Sequence, residues 1–397
     1  MGDFLPFIIF LMILAVFLRA ESALTVFYMV IGIFIIGFWW NRRAISHIEV
    51  SRDFGDHAFL GDEIAVNLII NNRSILPVLW LEIHESLPVN LRAGRSVKHV
   101  FSLGIRDKKE IRYQLNALKR GFYTLGPLLL QSGDPLGLVK PEQREFPGSD
   151  LTIYPRIVSL ETLGLPSRSP FGTLKHHNPI FEDPSRMMGK REYQDGDSIR
   201  RIDWKSTAST GTLQVKIYEA SIALEVAILL DLHRESYDIK TYYDATELAV
   251  TAAASIAAWG KTHKQSIGLT TTGIDPLHDE KVPNPLPPRK GSGHFINILE
   301  ILARLQPGDT TPIDTLIQDS LAGLTWGTTI VLISGGLKKQ TLDQLFQARK
   351  RGLNPVIILT GRPANLAEIK RIAAHFNIPI YSPSYPHDLS TMGNHHP

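Results

Sequence analysis

The sequence predicts a chain of several domains. An N-terminal transmembrane helical hairpin is followed by an immunoglobulin-like β-sandwich and then by a doubly wound α/β domain. Three observations carry this prediction. Two uncharged apolar runs, Phe4–Leu18 and Ala23–Trp40, open the chain. Apolar residues then recur with period two from Ile45 to about Val158, and past residue 220 strand-like and helix-like stretches alternate.

The two apolar runs are separated by Arg19-Ala20-Glu21-Ser22 alone, which predicts a tight helical hairpin. A membrane span needs about 20 residues and at least about 17, so the second run is long enough and the first sits at the limit. Trp39 and Trp40 suit a membrane interface, and Asn41-Arg42-Arg43 follows at once. Basic residues beside a span favour the cytoplasmic side, so the body of the chain and its N-terminus are expected in the cytoplasm. A secretory signal would begin with basic residues and carry a small-residue cleavage site, whereas Asp3 is the only early charge. The expected location is the inner membrane, crossed twice.

In the middle region Ile64, Val66, Leu68 and Ile70 alternate with Ala65, Asn67 and Ile69, and Ile111, Tyr113 and Leu115 alternate with Arg112, Gln114 and Asn116. Such alternation marks half-buried strands. Turn clusters at Gly61-Asp62, Asn71–Ser74 and Gly133–Pro135 divide them, and no helical stretch intervenes. Short strands with regular turns predict a sandwich of immunoglobulin-like type. The sequon Asn72-Arg73-Ser74 is read as a turn.

In the last region Leu224–Leu230 and Thr328–Ser334 are continuous apolar runs, which fit strands buried on both faces. Asp244–Trp259, Lys338–Lys350 and Ala364–Phe376 read as helices, and Ile267–Leu269 and Asn354–Thr360 as further strands. The strand ends carry Asp231, Ser334-Gly335-Gly336 and Thr360-Gly361-Arg362, where ligands of such sheets bind. Pro276–Gly293 reads as a mobile loop. The expected boundaries are 1–43 for the hairpin, 44–158 for the sandwich, 159–220 for a linker and 221–390 for the α/β domain.

The chain has 397 residues, a net charge of +3 and interleaved charges, which gives no footprint for nucleic acid. It has no cysteine, so disulfides, thiolate nucleophiles and cysteine metal sites are excluded. Gly260-Lys261-Thr262 resembles the end of a phosphate-binding loop, but it follows a helical stretch and Ser255 stands where the first glycine belongs. No Gly-x-Ser-x-Gly elbow occurs, and His176-His177 and His395-His396 lack partners at ligand spacing. No enzyme is expected.

The most polar stretch runs from Gly189 to Lys205. Arg191, Glu192, Tyr193, Gly196, Asp197, Arg200, Asp203, Trp204 and Lys205 form its chemical content. Asp195-Gly196-Asp197 reads as a turn and Ile199–Trp204 as a short helical turn. Both charges at this density predict a network of Arg–carboxylate pairs clasping neighbouring domains, with Trp204 as a packing anchor. The alternative is a docking surface.

This run, continued by Leu213, Val215, Lys216 and Glu219, resembles the signature of the bacterial family catalogued as domain of unknown function 58. Arg120–Tyr123 with Leu125-Gly126-Pro127, Asp134–Leu138 and Tyr154-Pro155-Arg156 agree with it; Ser209 departs from it, where the family has Arg. The resemblance implies a von Willebrand factor A-like C-terminal half and a partner AAA+ ATPase of MoxR type, with a role in maturing or assembling other proteins. A metal-binding A domain carries Asp-x-Ser-x-Ser and a second Asp after a central strand. Here Asp231-Leu232-His233-Arg234-Glu235 retains only the first Asp, Thr310 or Thr311 stands for the loop hydroxyl, and Ser334-Gly335-Gly336 replaces the second Asp. Asp231, His233 and Glu235 are therefore a degenerate candidate for Mg²⁺, and the expectation is no cofactor.

Overall fold

The computed structural model describes residues 5–18, 21–93, 97–133, 141–160, 182–194, 202–220, 225–278, 281–363 and 365–391. Asp134–Leu138, Gly196, Asp197, Arg200, His176, His177, His395 and His396 lie outside them. The chain divides into two compact units, Met1–Arg156 and Ile157–Pro397.

The first unit opens with helices α1 (Leu5–Leu18) and α2 (Glu21–Ser46), which pack against each other. Among the described residues one helical stretch, Leu24–Ser46, is long and apolar enough to cross a membrane. α1 has 14 residues, short of the length a span requires. α2 continues into the globular part of its unit, where Ala44 and Ile45 join the core and Trp40 packs against it. The Trp40 indole N–H donates to the Pro77 carbonyl at 3.0 Å. Helix ends leave carbonyls without intrahelical partners. Here the Arg144 guanidinium donates to the carbonyls of Ser46 at 3.0 Å and Ile48 at 2.9 Å, placing a cation at the negative end of the helix dipole.

The strands that follow are β1 (Ile48–Asp53), β2 (His57–Phe59), β3 (Glu63–Asn72), β4 (Val78–Glu85), β5 (Leu91–Ala93), β6 (Lys98–Leu103), β7 (Lys108–Ala117), β8 (Gly121–Leu125), β9 (Leu128–Ser132), β10 (Glu142–Phe146) and β11 (Ser149–Tyr154). They form sheets in the orders β1-β3-β7-β5, β10-β9-β4-β6 and β2-β11-β8. Ile64, Val66, Leu68 and Ile70 of β3 are buried, as the alternation predicts. Leu68, Ile70 and Ile111 from the first sheet meet Leu81, Ile83, Leu128 and Leu130 from the second in one core. Asn72 forms its turn by accepting the Ser74 N–H at 3.0 Å and donating to the carbonyls of Leu76 and Gly104.

A buried ion pair crosses this unit. The Arg52 Nε donates to Glu85 at 2.5 Å, and the Tyr113 hydroxyl donates to the other Glu85 oxygen at 2.7 Å. Burial, and next the Glu85 carboxylate, hold the Tyr113 phenol far above its ordinary range.

The second unit begins with a long hairpin, β12 (Glu182–Glu192) against β13 (Gln214–Ala220), bracketing α3 (Trp204–Thr210). Then come β14 (Glu225–Leu230), α4 (Tyr242–Thr262), β15 (Ser266–Thr271), β16 (Leu286–Arg289), α5 (Ser292–Arg304), α6 (Ile313–Leu321), β17 (Thr329–Ser334), α7 (Lys339–Lys350), β18 (Asn354–Leu359), α8 (Leu366–His375) and β19 (Ile380–Tyr381). The sheet order is β16-β15-β14-β17-β18-β19, parallel except for β16. Leu229, Ile330, Leu332 and Ile357 share a core with α6, α7 and α8, while α4 lies against β14, β15 and β17. Part of the expected loop Pro276–Gly293 is instead the edge strand β16, since an edge tolerates the prolines of Leu286-Pro287-Pro288-Arg289. Gly260 lies inside α4, where a Cβ would come within 2.1 Å of the Ile267 side chain, so it serves helix–strand packing.

Replacing Glu85 with Ala removes the carboxylate from the buried Arg52 charge, which keeps the Pro147 carbonyl at 2.8 Å, and leaves the Tyr113 hydroxyl without its acceptor. The expected loss is about 3–5 kcal/mol, the usual cost of removing one member of a buried pair. It is read as a lowered melting transition of the detergent-solubilised full chain.

Candidate functional site

In a sheet of this order the chain leaves β14 in one direction and β17 in the other, and the crevice between their carboxyl ends is the usual ligand position. Asp231 ends β14 and is fully buried. Its Oδ1 accepts the His233 N–H at 3.0 Å and the Thr272 hydroxyl at 3.1 Å. Its Oδ2 lies 2.7 Å from the Ser334 hydroxyl. Thr272 follows β15, and Ser334 ends β17. The Leu232 N–H donates to the Thr272 hydroxyl at 2.7 Å, and the Tyr237 hydroxyl to the Asp231 carbonyl at 2.5 Å. Thr310, expected as the loop hydroxyl, donates to the Thr272 carbonyl.

Burial raises the Asp231 carboxyl above its usual range, and the surrounding hydroxyls and the His233 N–H pull it down only in part. Burial, and next the charge of Asp231, raise the Tyr237 phenol. A protonated Asp231 fits its neighbours well. Ser334 has one hydrogen for two acceptors, Asp231 and the Gly336 carbonyl at 2.8 Å. With the proton on Asp231, the carboxyl donates to Ser334 and Ser334 donates to Gly336.

The three residues of the degenerate metal candidate do not converge. The His233 Nε2 is 3.8 Å from Glu235, whose side chain is 74% exposed, while the Asp231 carboxylate turns inward to Thr272 and Ser334. No group of three or more His, Asp or Glu side chains stands at ligand spacing among the described residues. The donor set does not fit Mg²⁺, because both Asp231 oxygens already take hydrogen bonds inside a buried network. The glycines beside it fit close packing. A Cβ on Gly335 would lie 2.3 Å from the Tyr237 ring, and one on Gly361 would lie 2.4 Å from the Gly335 carbonyl. Over this floor lies a pocket of about 330 Å³, lined by His233, Tyr237, Lys338, Arg362 and others.

The polar signature takes a different form from the one predicted. Helix α3 starts at Trp204, one residue after Asp203, and Ile202 is extended, bridging Val215. The reason is the cap: Asp203 Oδ1 accepts the backbone N–H groups of Lys205 at 3.1 Å and Ser206 at 3.2 Å. Lys190 from β12 pairs with Asp203 at 2.8 Å and also donates to Ser206. The hydrogen bond from Lys190, foremost, holds the Asp203 carboxyl below its usual range. Arg191 and Glu192 register opposite Val215 and Gln214, and the Tyr193 N–H donates to the Leu213 carbonyl at 2.8 Å. Arg191, Glu192 and Lys205 are exposed. Trp204 is 65% exposed, so it is no packing anchor.

Residues 189–359 match DUF58, a family described as protein of unknown function. The resemblance read from the Gly189–Lys205 run is thereby borne out for this segment. A relative, the uncharacterized protein YeaD of Bacillus subtilis strain 168, is 24% identical over 266 residues, covering 66% of this chain and 63% of that one. The chain thus spans less than two thirds of that relative's length. Among solved structures, a von Willebrand factor type A protein from Catenulispora acidiphila matches 45% of this chain and 42% of its own, at 14% identity and a TM-score of 0.32. Proximal thread matrix protein 1 of the mussel byssus matches 44% and 47%, at 15% identity and a TM-score of 0.31. The CARDB domain of PF1109 from Pyrococcus furiosus matches 27% and 86%, at 14% identity and a TM-score of 0.20.

Two predictions follow from the geometry of the DUF58 segment. A buried acid whose carboxyl is raised on folding contributes stability below its unfolded value of about 3.9 and loses it as pH rises through the folded value. Asp231→Asn is expected to keep the network and to flatten that decline, so its melting temperature gains on the parent's from acid to neutral pH. Asp231→Ala orphans the Thr272 and Ser334 hydroxyls and should cost at least about 1–3 kcal/mol at every pH. For the signature, Asp203→Ala should speed hydrogen exchange at the Lys205 and Ser206 amides, while Asp203→Asn, which still caps, should speed it far less.

Proposed function

We propose that the chain is a membrane-tethered cytoplasmic adaptor that works with a MoxR-type AAA+ ATPase in maturing or assembling other proteins, without catalysing a reaction itself. In this reading both N-terminal apolar segments cross the inner membrane as a hairpin, the short α1 packed against α2 with its polar ends in the headgroups. Residues 44–158 are an immunoglobulin-like sandwich that presents surfaces, and residues 221–390 are a von Willebrand factor A-like domain with no resident metal.

The observation that carries the reading is Trp204. It stands exposed on a short capped helix, held by a hairpin and the Lys190–Asp203 pair, with Arg191, Glu192 and Lys205 exposed on the same unit. A large exposed aromatic ring on a capped helix, in a stretch that also carries exposed charges, has the composition of a binding hot spot. The inward-turned Asp231 supports a binding role over a hydrolytic or metal-dependent one. The partner class comes from the family resemblance, and the anchor is supported by the long apolar helix α2.

The test is capture of a purified MoxR-type ATPase by the immobilised full chain in detergent. Binding is expected, and Trp204→Ala should weaken it tenfold or more, about 1.4 kcal/mol, with an unchanged melting temperature. An ATPase that never binds sinks the adaptor reading. Heat on titration with Mg²⁺ or Mn²⁺, together with a raised melting temperature, would favour a divalent-metal-dependent, adhesion-type binder in its place.

A further inference from the structure

Where α2 enters the first unit it leaves a crevice of about 430 Å³ between the helix and the sheet of β4 and β9. Ile33, Ile36, Gly37 and Asn41 line it from the helix, and Leu79 and Ser132 from the strands. Its N-terminal part along α2 is aliphatic, and the Asn41 amide stands in its lining between Gly37 and Ala44. Asn41 is 97% buried by its 3% exposure, and its Nδ2 donates to the Ser132 carbonyl at 3.1 Å. Its Oδ1 is buried and accepts nothing among the described residues. A buried amide oxygen without a donor points to a ligand that brings one.

The position of the crevice names the ligand class. Ile33 and Asn41 are eight residues apart, about 12 Å along a helix, which is the depth from a headgroup into the upper acyl region. Ile36 and Leu79 are more than half exposed, so the apolar walls open outward. Arg42 and Arg43, both exposed, follow Asn41 directly and suit a lipid phosphate.

We propose that this crevice holds one bilayer phospholipid, resting on the reading of α2 as a membrane span. Its acyl chain lies between Ile33, Ile36 and Leu79, and its headgroup supplies an N–H or O–H donor to Asn41 Oδ1. Ethanolamine and glycerol headgroups carry such donors; choline does not. The lipid fills the wedge between the anchor helix and the sheet that the helix carries.

The test reconstitutes the full chain in phosphatidylcholine vesicles doped with a phospholipid bearing a photoactivatable acyl chain and either an ethanolamine or a choline headgroup. Crosslinks are mapped by mass spectrometry. Those at Ile35, an exposed α2 residue outside the crevice lining, report membrane insertion; those at Leu79 report the crevice. The expected result is crosslinking at both positions, with the Leu79 yield higher for the ethanolamine lipid. Gly37→Leu, which fills the crevice, should abolish the Leu79 crosslink and spare that at Ile35. Ile36→Trp, at an exposed lining position, should do the same if Gly37→Leu fails to fold. Crosslinks at Ile35 with none at Leu79, equal Leu79 yields for the two headgroups, or a Leu79 yield unmoved by the filling variants each overturn the proposal. Absence of crosslinks at both positions overturns the membrane reading as well.

Discussion

Asp231 closes the ends of the strands from which the α/β sheet grows. β14 is paired on both sides, by β15 and by β17, and each neighbour sends a hydroxyl to the same carboxyl group. The Asp231 N–H donates to the Ile333 carbonyl and the Thr272 N–H to the Leu230 carbonyl, so backbone and side chain fix the same register. Most of what surrounds the crevice depends on this knot. Thr310 docks its loop on Thr272, Tyr237 reaches back to the Asp231 carbonyl, and Gly335 gives the Tyr237 ring the room it needs. A serine at position 334 is what lets the knot stay dry. An aspartate there would place a second carboxylate against the first, and two like charges in a buried place need a cation or a proton between them. Ser334 supplies a hydrogen-bonding partner without the charge.

The first unit is organised by a different constraint, the transition from helix to sheet. α2 ends at Ser46 and β1 begins at Ile48, leaving no linker to absorb a mismatch. The ends of the helix carbonyl ladder must therefore find donors inside the unit, and Arg144 of β10 supplies them from a strand far along the chain. Trp40 is tied to Pro77 in the turn before β4, so two separated strand regions hold the helix end. A helix joined in this way carries its orientation into the sheet, unlike one on a flexible tether.

Much of this was legible in the sequence, and the illegible part has physical causes. Alternation located β3 and β7, because one face of each is buried and the other is wet. Continuous apolar runs located β14, β17 and β18, which are buried on both faces. Helices α5 and α6 were not foreseen. The first follows a proline-rich edge strand and contains Gly293 in its opening turn, and the second has only nine residues. At the candidate site Asp231 was readable as a strand end, but its partner Thr272 was not, because sheet register rather than sequence spacing brings the two together. Lys190 was passed over for the same reason: only the hairpin register brings it to Asp203. Trp204 departs from the packing role that aromatic residues in polar runs usually have, because the cap at Asp203 fixes a helix that leaves the ring outside.

These particulars separate two kinds of polar group. Those at the strand ends are matched inward: the His233 N–H and the hydroxyls of Thr272 and Ser334 all meet the Asp231 carboxyl, and the burial that raises that carboxyl also removes it from solvent. A group held in that state stabilises the fold, because its hydrogen bonds offset the cost of burying it. The Trp204 helix is built the opposite way. Its polar contacts are in the cap and the Lys190 pair, and they fix the helix while the indole stays outside. A backbone already capped lowers the ordering cost of an encounter, since the helix is formed before a partner arrives. That asymmetry is the physical difference between the two places: polar groups closed on themselves at the strand ends, and an exposed ring on a capped helix at the signature.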